Sequence, residues 1–400
     1  MMCRPKIHVF SLLVALVVCA CAKPVAEFAP GEPCDAGNFV VTDDFDGARR
    51  GECQVFAEQR IRIHIEPEDA GPINDSPWYA FRLVPSDQVE ATITLRYHGG
   101  KHRYWPKVSF DRIHWTRLDE SAVDISFFRS SATFTVALDA GPVWVAAQEI
   151  ILPTDVEKWI DEQSSHPQVT KTQLGVSASE IPIYKLDINP ESKEVVFLAG
   201  RQHPPEVSGS FGFQGFYKAI VAESELAARF RDRFHIVALP MLNPDGVIAG
   251  HWRHNTGGVD LNRDWGLFTQ AETQLVDELL NSYDELGKRV RISVDFHSTA
   301  SNLMYTQTDD DTTNPTGFTN QWIAAALPRL EDYEFTEEPR AFSELATGRN
   351  YMYERYGVPS VTFEVGDEED RAATIKAAGV FAEEMMRLLN DDGPGREPHN

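Results

Sequence analysis

Beyond residue 53 the sequence has no cysteine, so a metal site in the remaining chain must be built from histidine and carboxylate. Basic residues are also scarce. Lys and Arg number 37 against 61 Asp and Glu, for a net charge of −24. A surface of that sign repels phosphate backbones, which argues against nucleic acid as a partner. It names no substrate, because the charge inside a pocket can oppose the global sign. Internal repeats are absent too. What is present is a 42% hydrophobic, 10% aromatic composition that can bury a core, over 400 residues, a length that fits two domains.

Residues 1–22 do not read as part of a fold. Arg4 and Lys6 give a positive start, Val9 to Val18 is apolar except for Ser11, and Ala20 and Ala22 are small. This is the layout of a secretory signal. Val18-Cys19-Ala20-Cys21 resembles a bacterial lipobox with Cys21 as the lipidated residue, although Cys19 stands where Ala or Ser is usual. The alternative is ordinary cleavage after Ala22. Either reading places the chain in the cell envelope, on the periplasmic face and lipid-anchored, or secreted. A membrane would be touched only through a lipid on Cys21. Of the five cysteines, Cys3, Cys19 and Cys21 fall in this segment and Cys34 and Cys53 remain. An even remainder in an oxidising compartment points to a Cys34–Cys53 disulfide, with two free buried thiols as the alternative.

Residues 23–45 read as an acidic linker. From 46 to 150 the apolar residues alternate: Ile93, Leu95 and Tyr97; Val123, Ile125 and Phe127; Phe134, Val136 and Leu138. Short alternating runs separated by Gly99-Gly100 and Asp139-Ala140-Gly141 predict an antiparallel β-sandwich domain. From 151 to 390 strand-like runs (Val195–Ala199, Ile236–Leu242, Val290–Phe296, Val361–Val365) alternate with helical periods, the last over Ala372–Leu389. That order predicts an α/β domain with a mixed central sheet flanked by helices, and a site beyond the carboxyl ends of its strands. Residues 391–400 read as a flexible tail.

Four fragments carry chemistry. His203-Pro204-Pro205-Glu206 follows the buried run Val195–Ala199, so an imidazole and a carboxylate can converge on one ion. Ser293-Val294-Asp295-Phe296-His297 ends a second apolar run in a histidine. His203, Glu206 and His297 make a His₂Glu set that leaves a tetrahedral zinc one open position. Ser360-Val361-Thr362-Phe363-Glu364 ends a third run in a carboxylate, suited to act as a general base beside a metal. His251-Trp252-Arg253-His254 and Asp260-Leu261-Asn262-Arg263 supply donors, and the Asn262–Arg263 pair offers a fork that fits a carboxylate. Asn243-Pro244-Asp245-Gly246 reads as a structural turn.

In this order, H-x-x-E, N-P-D-G, W-R, D-L-N-R, strand-H and strand-F-E, the fragments resemble the zinc metallocarboxypeptidases over residues 150–390. They are closest to the cytosolic-carboxypeptidase-like branch, which has a β-sandwich before the catalytic domain. The resemblance implies one zinc per chain on His203, Glu206 and His297, and Glu364 as the base. It implies Arg253 on the scissile carbonyl, Asn262 and Arg263 on the substrate's terminal carboxylate, and Asp260 orienting His203. The substrates would be peptide or protein C-termini. Pro205 departs from the branch, where Gly is commoner, and could alter the approach of Glu206. The family's mobile tyrosine has Tyr351 and Tyr353 as candidates here. The specificity pocket falls near Gly348-Arg349-Asn350. Arg349 there would favour an acidic C-terminal residue; the plainer reading is a surface arginine on a helix. Three other readings stand beside this one: an envelope amidase or carboxypeptidase acting on peptidoglycan stem peptides, a non-catalytic metal-binding module, and a deacylase of N-acylated amino acids. Other divalent ions can also occupy such a ligand set.

Overall fold

The structure is a computed structural model that describes residues 25–70, 73–139 and 141–392. Residues 1–24, with the expected signal segment and Cys21, and the tail beyond 392 lie outside the described residues.

The first domain is a sandwich of two six-stranded sheets. Its longest strand, Val89–Tyr97, alternates buried Val89, Ala91, Ile93, Leu95 and Tyr97 with exposed or half-buried residues, and pairs antiparallel with Ser131–Leu138. Among the described residues, all its pairings are antiparallel but one: Arg60–Ile65 runs parallel to Val89–Tyr97. Residues 23–45, expected as a linker, instead contribute strands Ala26–Phe28, Cys34–Asp35 and Phe39–Thr42 to both sheets. The reason is local: Phe39 and Val41 are buried, and Cys34 is bonded to Cys53. Phe127, expected on the inner face with Val123 and Ile125, is 92% exposed because the strand ends at Ile125.

The second domain is built on an eight-stranded mixed sheet in the order Val169–Val176, Pro182–Ile188, His235–Leu239, Glu194–Gly200, Arg289–Thr299, Ser360–Gly366, Leu303–Thr306, Thr336–Pro339. The four strands from His235–Leu239 to Ser360–Gly366 are parallel to their neighbours within that group. Both faces are covered. Val196 and Leu198 face Phe213 and Phe216 of helix Val207–Ile220, backed by helix Arg371–Asp391. Val195, Phe197 and Ala199 face the opposite cluster with Val276 and Leu280 of helix Ala271–Glu285. This two-sided burial explains the unbroken apolar run Val195–Ala199 and the largely apolar character of its neighbours. The Asn243-Pro244-Asp245-Gly246 turn opens a short helix, Pro244–Ile248, capped by the Asn243 side chain.

The two domains share one continuous apolar cluster, with Trp78 from the sandwich and Val247 and Trp252 from the α/β domain among its members. Ion pairs Arg103–Asp367, Lys107–Glu368 and Arg371–Glu149 cross the same boundary.

Candidate metal centre

The parallel strands deliver the site. Glu194–Gly200 ends at Arg201, which adopts φ 52° and turns the chain so that His203 and Glu206 face back over the sheet end. Arg201 is buried and holds this turn by donating from Nε to the Pro204 carbonyl (2.9 Å) and from Nη1 to Ser210 Oγ (3.1 Å). Glu206 then serves as the residue before helix Val207–Ile220. Gly209 in that helix sits where a Cβ would come within 2.6 Å of the His297 carbonyl oxygen, so glycine allows the helix to press against the metal-site strand. The neighbouring strands pair His297 with Glu364 in register, placing both side chains at the same level.

His203, Glu206 and His297 converge, all buried. Glu206 Oε1 lies 2.9 Å from His203 Nδ1, and Oε2 lies 2.7 Å from His297 Nδ1. The two Nδ1 atoms are 3.1 Å apart. Pro205 leaves this approach intact. The opposite ring nitrogens are both taken by carboxylates: His203 Nε2 by Asp260 (2.9 Å) and His297 Nε2 by Asp295 (2.8 Å). With Nε2–H donating outward, both Nδ1 lone pairs and the Glu206 oxygens point at one spot and lack a donor there. A divalent cation satisfies that arrangement, and a carboxylate behind each ligating imidazole is the usual support for a zinc site. The carboxylates also favour positive charge: although burial opposes it, Asp295 and Glu206 raise the pKa of His297 well above its ordinary value. Against the same penalty, His203 and His297 hold Glu206 well below the usual carboxylate range.

Glu364 is half-buried beside this set, and its Oε2, shut off from solvent, has no hydrogen-bond partner. Burial pushes its pKa up to about 8, with a push from Glu206 and an opposing pull from His297 and Arg103. Arg253 donates from Nε to Asp260 (2.7 Å) and its Nη1 lies 4.0 Å from Glu206, so it flanks the metal set. Asn262 Nδ2 lies 3.3 Å from His297 Nε2, and its Oδ1 accepts from the Gly348 amide (2.9 Å). Arg263 donates to the Asn262 carbonyl (2.6 Å).

His203, Glu206, His297, Glu364, Arg253, Asn262 and Arg263 line one cavity of about 420 Å³, together with Arg103, Tyr305, Arg340 and Arg349. Arg349 is buried rather than lying on the surface. It lies in the first turn of helix Gly348–Tyr356 and donates to the carbonyls of Thr306 (2.7 Å) and Arg340 (2.9 Å). Tyr351 and Tyr353 are not among the lining residues. Tyr351 packs on Trp265 and Phe268, whereas Tyr305 reaches the cavity from a strand that pairs it with Thr362. Three partners were not singled out in the sequence. Asp295 has a signal, since it lies two residues before His297 on the same strand face. Tyr305 and Arg103 have none, because each reaches the site from a segment remote from every motif.

A buried imidazole–carboxylate cluster with an unpaired glutamate, at the carboxyl ends of parallel strands, defines a mononuclear metallohydrolase. The zinc carboxypeptidase family profile matches residues 156–384, more than half of the chain, and the chain belongs to that family of zinc-dependent peptide hydrolases. It is 29% identical over 209 residues to cytosolic carboxypeptidase 6 of Caenorhabditis elegans, covering 48% of this chain and 45% of that protein. It is 30% identical over 201 residues to cytosolic carboxypeptidase 6 of Mus musculus, covering 46% of this chain and 36% of that protein. The chain thus spans less than half the length of these relatives. The crystal structure of a metallo-carboxypeptidase from Burkholderia cenocepacia shares the fold over 89% of this chain and 99% of its own, with a TM-score of 0.72 at 20% identity.

Proposed function

We propose that this protein is a metallocarboxypeptidase that removes the C-terminal residue of peptides and prefers an acidic one. The observation that carries the reading is the His203–Glu206–His297 set with Glu364 held at its level in the next strand, facing an arginine-lined cavity. Zinc on that set would supply Lewis acidity toward a water and a carbonyl oxygen. The remaining work falls to the chain. Asn262 and Arg263 hold the substrate's terminal carboxylate and so fix which peptide bond is cut. Arg253 donates to the scissile carbonyl oxygen and stabilises the negative charge that builds there. Glu364 takes a proton from the attacking water as its oxygen bonds to the carbonyl carbon. It passes that proton to the nitrogen of the breaking C–N bond, so the peptide is released with a new carboxylate and the last residue leaves with a free amine.

The acidic preference is supported by five lining arginines at 103, 253, 263, 340 and 349, against two lining carboxylates, Glu206 and Glu364. Arg103, Arg253 and Arg340 each pair with a carboxylate, while Arg263 and Arg349 have none within ion-pair distance among the described residues. Work outside the cytoplasm, with an anchor on Cys21, is part of the same proposal. Its support is the Cys34–Cys53 disulfide, a bond that persists in oxidising compartments. The test is release of terminal residues from peptides varied at the last position, with and without a chelator. Chelator-sensitive release, fastest from Glu or Asp ends, is the expected result. No release from zinc-loaded protein would reject the carboxypeptidase reading and favour peptidoglycan stem peptides as substrate.

A further inference from the structure

The sandwich domain grips one short stretch of the α/β domain, and that stretch carries Arg253. Glu68 lies in the loop that follows strand Arg60–Ile65. Its carboxylate accepts three consecutive backbone N–H groups across the domain boundary: Trp252 on Oε2 at 2.7 Å, and Arg253 and His254 on Oε1 at 2.8 and 2.7 Å. Both oxygens are thereby committed. The adjacent Asp69 lies 2.7 Å from His254 Nδ1. Trp252 donates from Nε1 to the Trp78 carbonyl (3.1 Å), and its ring fills the space where a Cβ on Gly100 would come within 2.9 Å. Every one of these partners belongs to the sandwich.

A run of amides turned toward one point is a concave anion site, and charge-assisted bonds to backbone N–H are among the stronger hydrogen bonds. The segment 252–254 is otherwise irregular and lies in no helix or strand. Its backbone position is therefore set from outside. At the other end of the same side chain, Asp260 fixes the Arg253 guanidinium through Nε (2.7 Å). One carboxylate holds the base of the arginine and another holds its head.

We infer that Glu68 of the sandwich is a positioning residue for Arg253, so that the sandwich domain is a working part of the active site. The inference rests on the reading above in which Arg253 stabilises charge on the scissile carbonyl. Glu68 touches no substrate. It acts by holding the Arg253 backbone where the guanidinium reaches the carbonyl oxygen, and a displacement near 1 Å at such a site costs on the order of 100-fold in rate.

The experiment compares the parent with Glu68→Ala, Glu68→Gln, Arg253→Ala and the Glu68→Ala/Arg253→Ala double variant, all zinc-loaded and checked for melting temperature. Glu68→Ala should lower kcat roughly 10- to 100-fold with KM nearly unchanged, since Asn262 and Arg263 still bind the terminal carboxylate. Glu68→Gln, which keeps one acceptor oxygen, should fall between Ala and the parent and shows the effect in a variant closer in shape to the parent. In the Arg253→Ala background, Glu68→Ala should cost less than about 2-fold more, because the group it positions is gone. Equal loss in both backgrounds, or a rise in KM with kcat intact, would overturn the inference. Amide hydrogen exchange gives a readout without substrate: protection at 252–254 should drop in Glu68→Ala while the central sheet stays protected. Retained protection there would also overturn it. If the parent releases no residue from any peptide, the carboxypeptidase reading fails, and the exchange result still decides whether Glu68 holds this loop.

Discussion

Replacing Asp295 by Asn should loosen zinc without disturbing the fold. Asp295 Oδ2 receives His297 Nε2 at 2.8 Å and Gln202 Nε2 at 2.7 Å, and Oδ1 is buried without a partner. The Asn carbonyl can take the Oδ2 position and keep both bonds, leaving its amide group where no partner stood before. The substitution therefore removes charge rather than geometry. A carboxylate behind a ligating imidazole makes the ring a better donor and fixes its tautomer, and losing such a partner typically weakens metal binding by about 10- to 100-fold. That corresponds to about 1.4–2.7 kcal/mol, at about 1.36 kcal/mol per decade. The assay is competition for zinc against a chromophoric chelator at neutral pH, with circular dichroism of the metal-free variant as a control on folding. Zinc affinity within about 2-fold of the parent, at unchanged fold, would refute the claim that Asp295 works through His297. Asp260 behind His203 would give a less clean result, because it also holds Arg253.

Three other outcomes follow from the structure. Glu364→Gln should keep its zinc and lose about 10²- to 10⁴-fold in kcat, read by peptide release alongside metal analysis; near-parental turnover would remove Glu364 from proton transfer. Arg349→Ala should narrow the kcat/KM preference for Glu over Leu at the terminal position by about 10-fold or more, the scale of one charged hydrogen bond; an unchanged ratio would leave its role purely structural, through the Thr306 and Arg340 carbonyls. Opening the Cys34–Cys53 bond, which spans 19 residues, should cost about 3 kcal/mol, seen as a lower urea midpoint for the reduced protein; coincident unfolding curves would show that the sandwich does not depend on it.

The central strands and the ligands were legible in the sequence for one physical reason. A strand buried on both faces is an unbroken apolar run, so the first polar residue after it marks the edge where chemistry can sit. Val195–Ala199 follows this pattern, with Arg201 and then His203 just beyond it; the runs ending at His297 and Glu364 follow it less strictly, with Arg291, Ser293, Asp295 and Thr362 inside them. The pattern fails where the determinant is tertiary. Residues 23–45 read as a linker because their strands are two to four residues long, too short to show a period, and gain their place from Cys53 and the sheets they join. Phe127 continued an alternation whose strand had already stopped. Tyr351 and Tyr353 lay in the right stretch, but helix Gly348–Tyr356 turns Tyr351 onto Trp265, and the cavity tyrosine comes from position 305.

The charge of the cavity was hidden for a related reason. The chain carries −24 overall, yet the groove above the ligands gathers arginines from five separate places, at 103, 253, 263, 340 and 349. No short stretch of sequence contains more than two of them, so no local count shows the reversal of sign. Assembling them requires both domains, since Arg103 belongs to the sandwich and is tied to Asp367, three residues beyond Glu364. Arg103 also pulls Glu364 toward its ionised form against the burial that raises it. The acidic exterior and the basic interior then act at different ranges. At physiological salt the exterior is screened beyond about 8 Å, and so are the exposed Arg263 and Arg340, while the buried Arg253 and Arg349 are screened less. On the proposed reading, an anionic peptide end would be weakly opposed at a distance and held on entry by Arg253 and Arg349. Selectivity of this kind should persist as ionic strength rises, even where the rate of encounter changes.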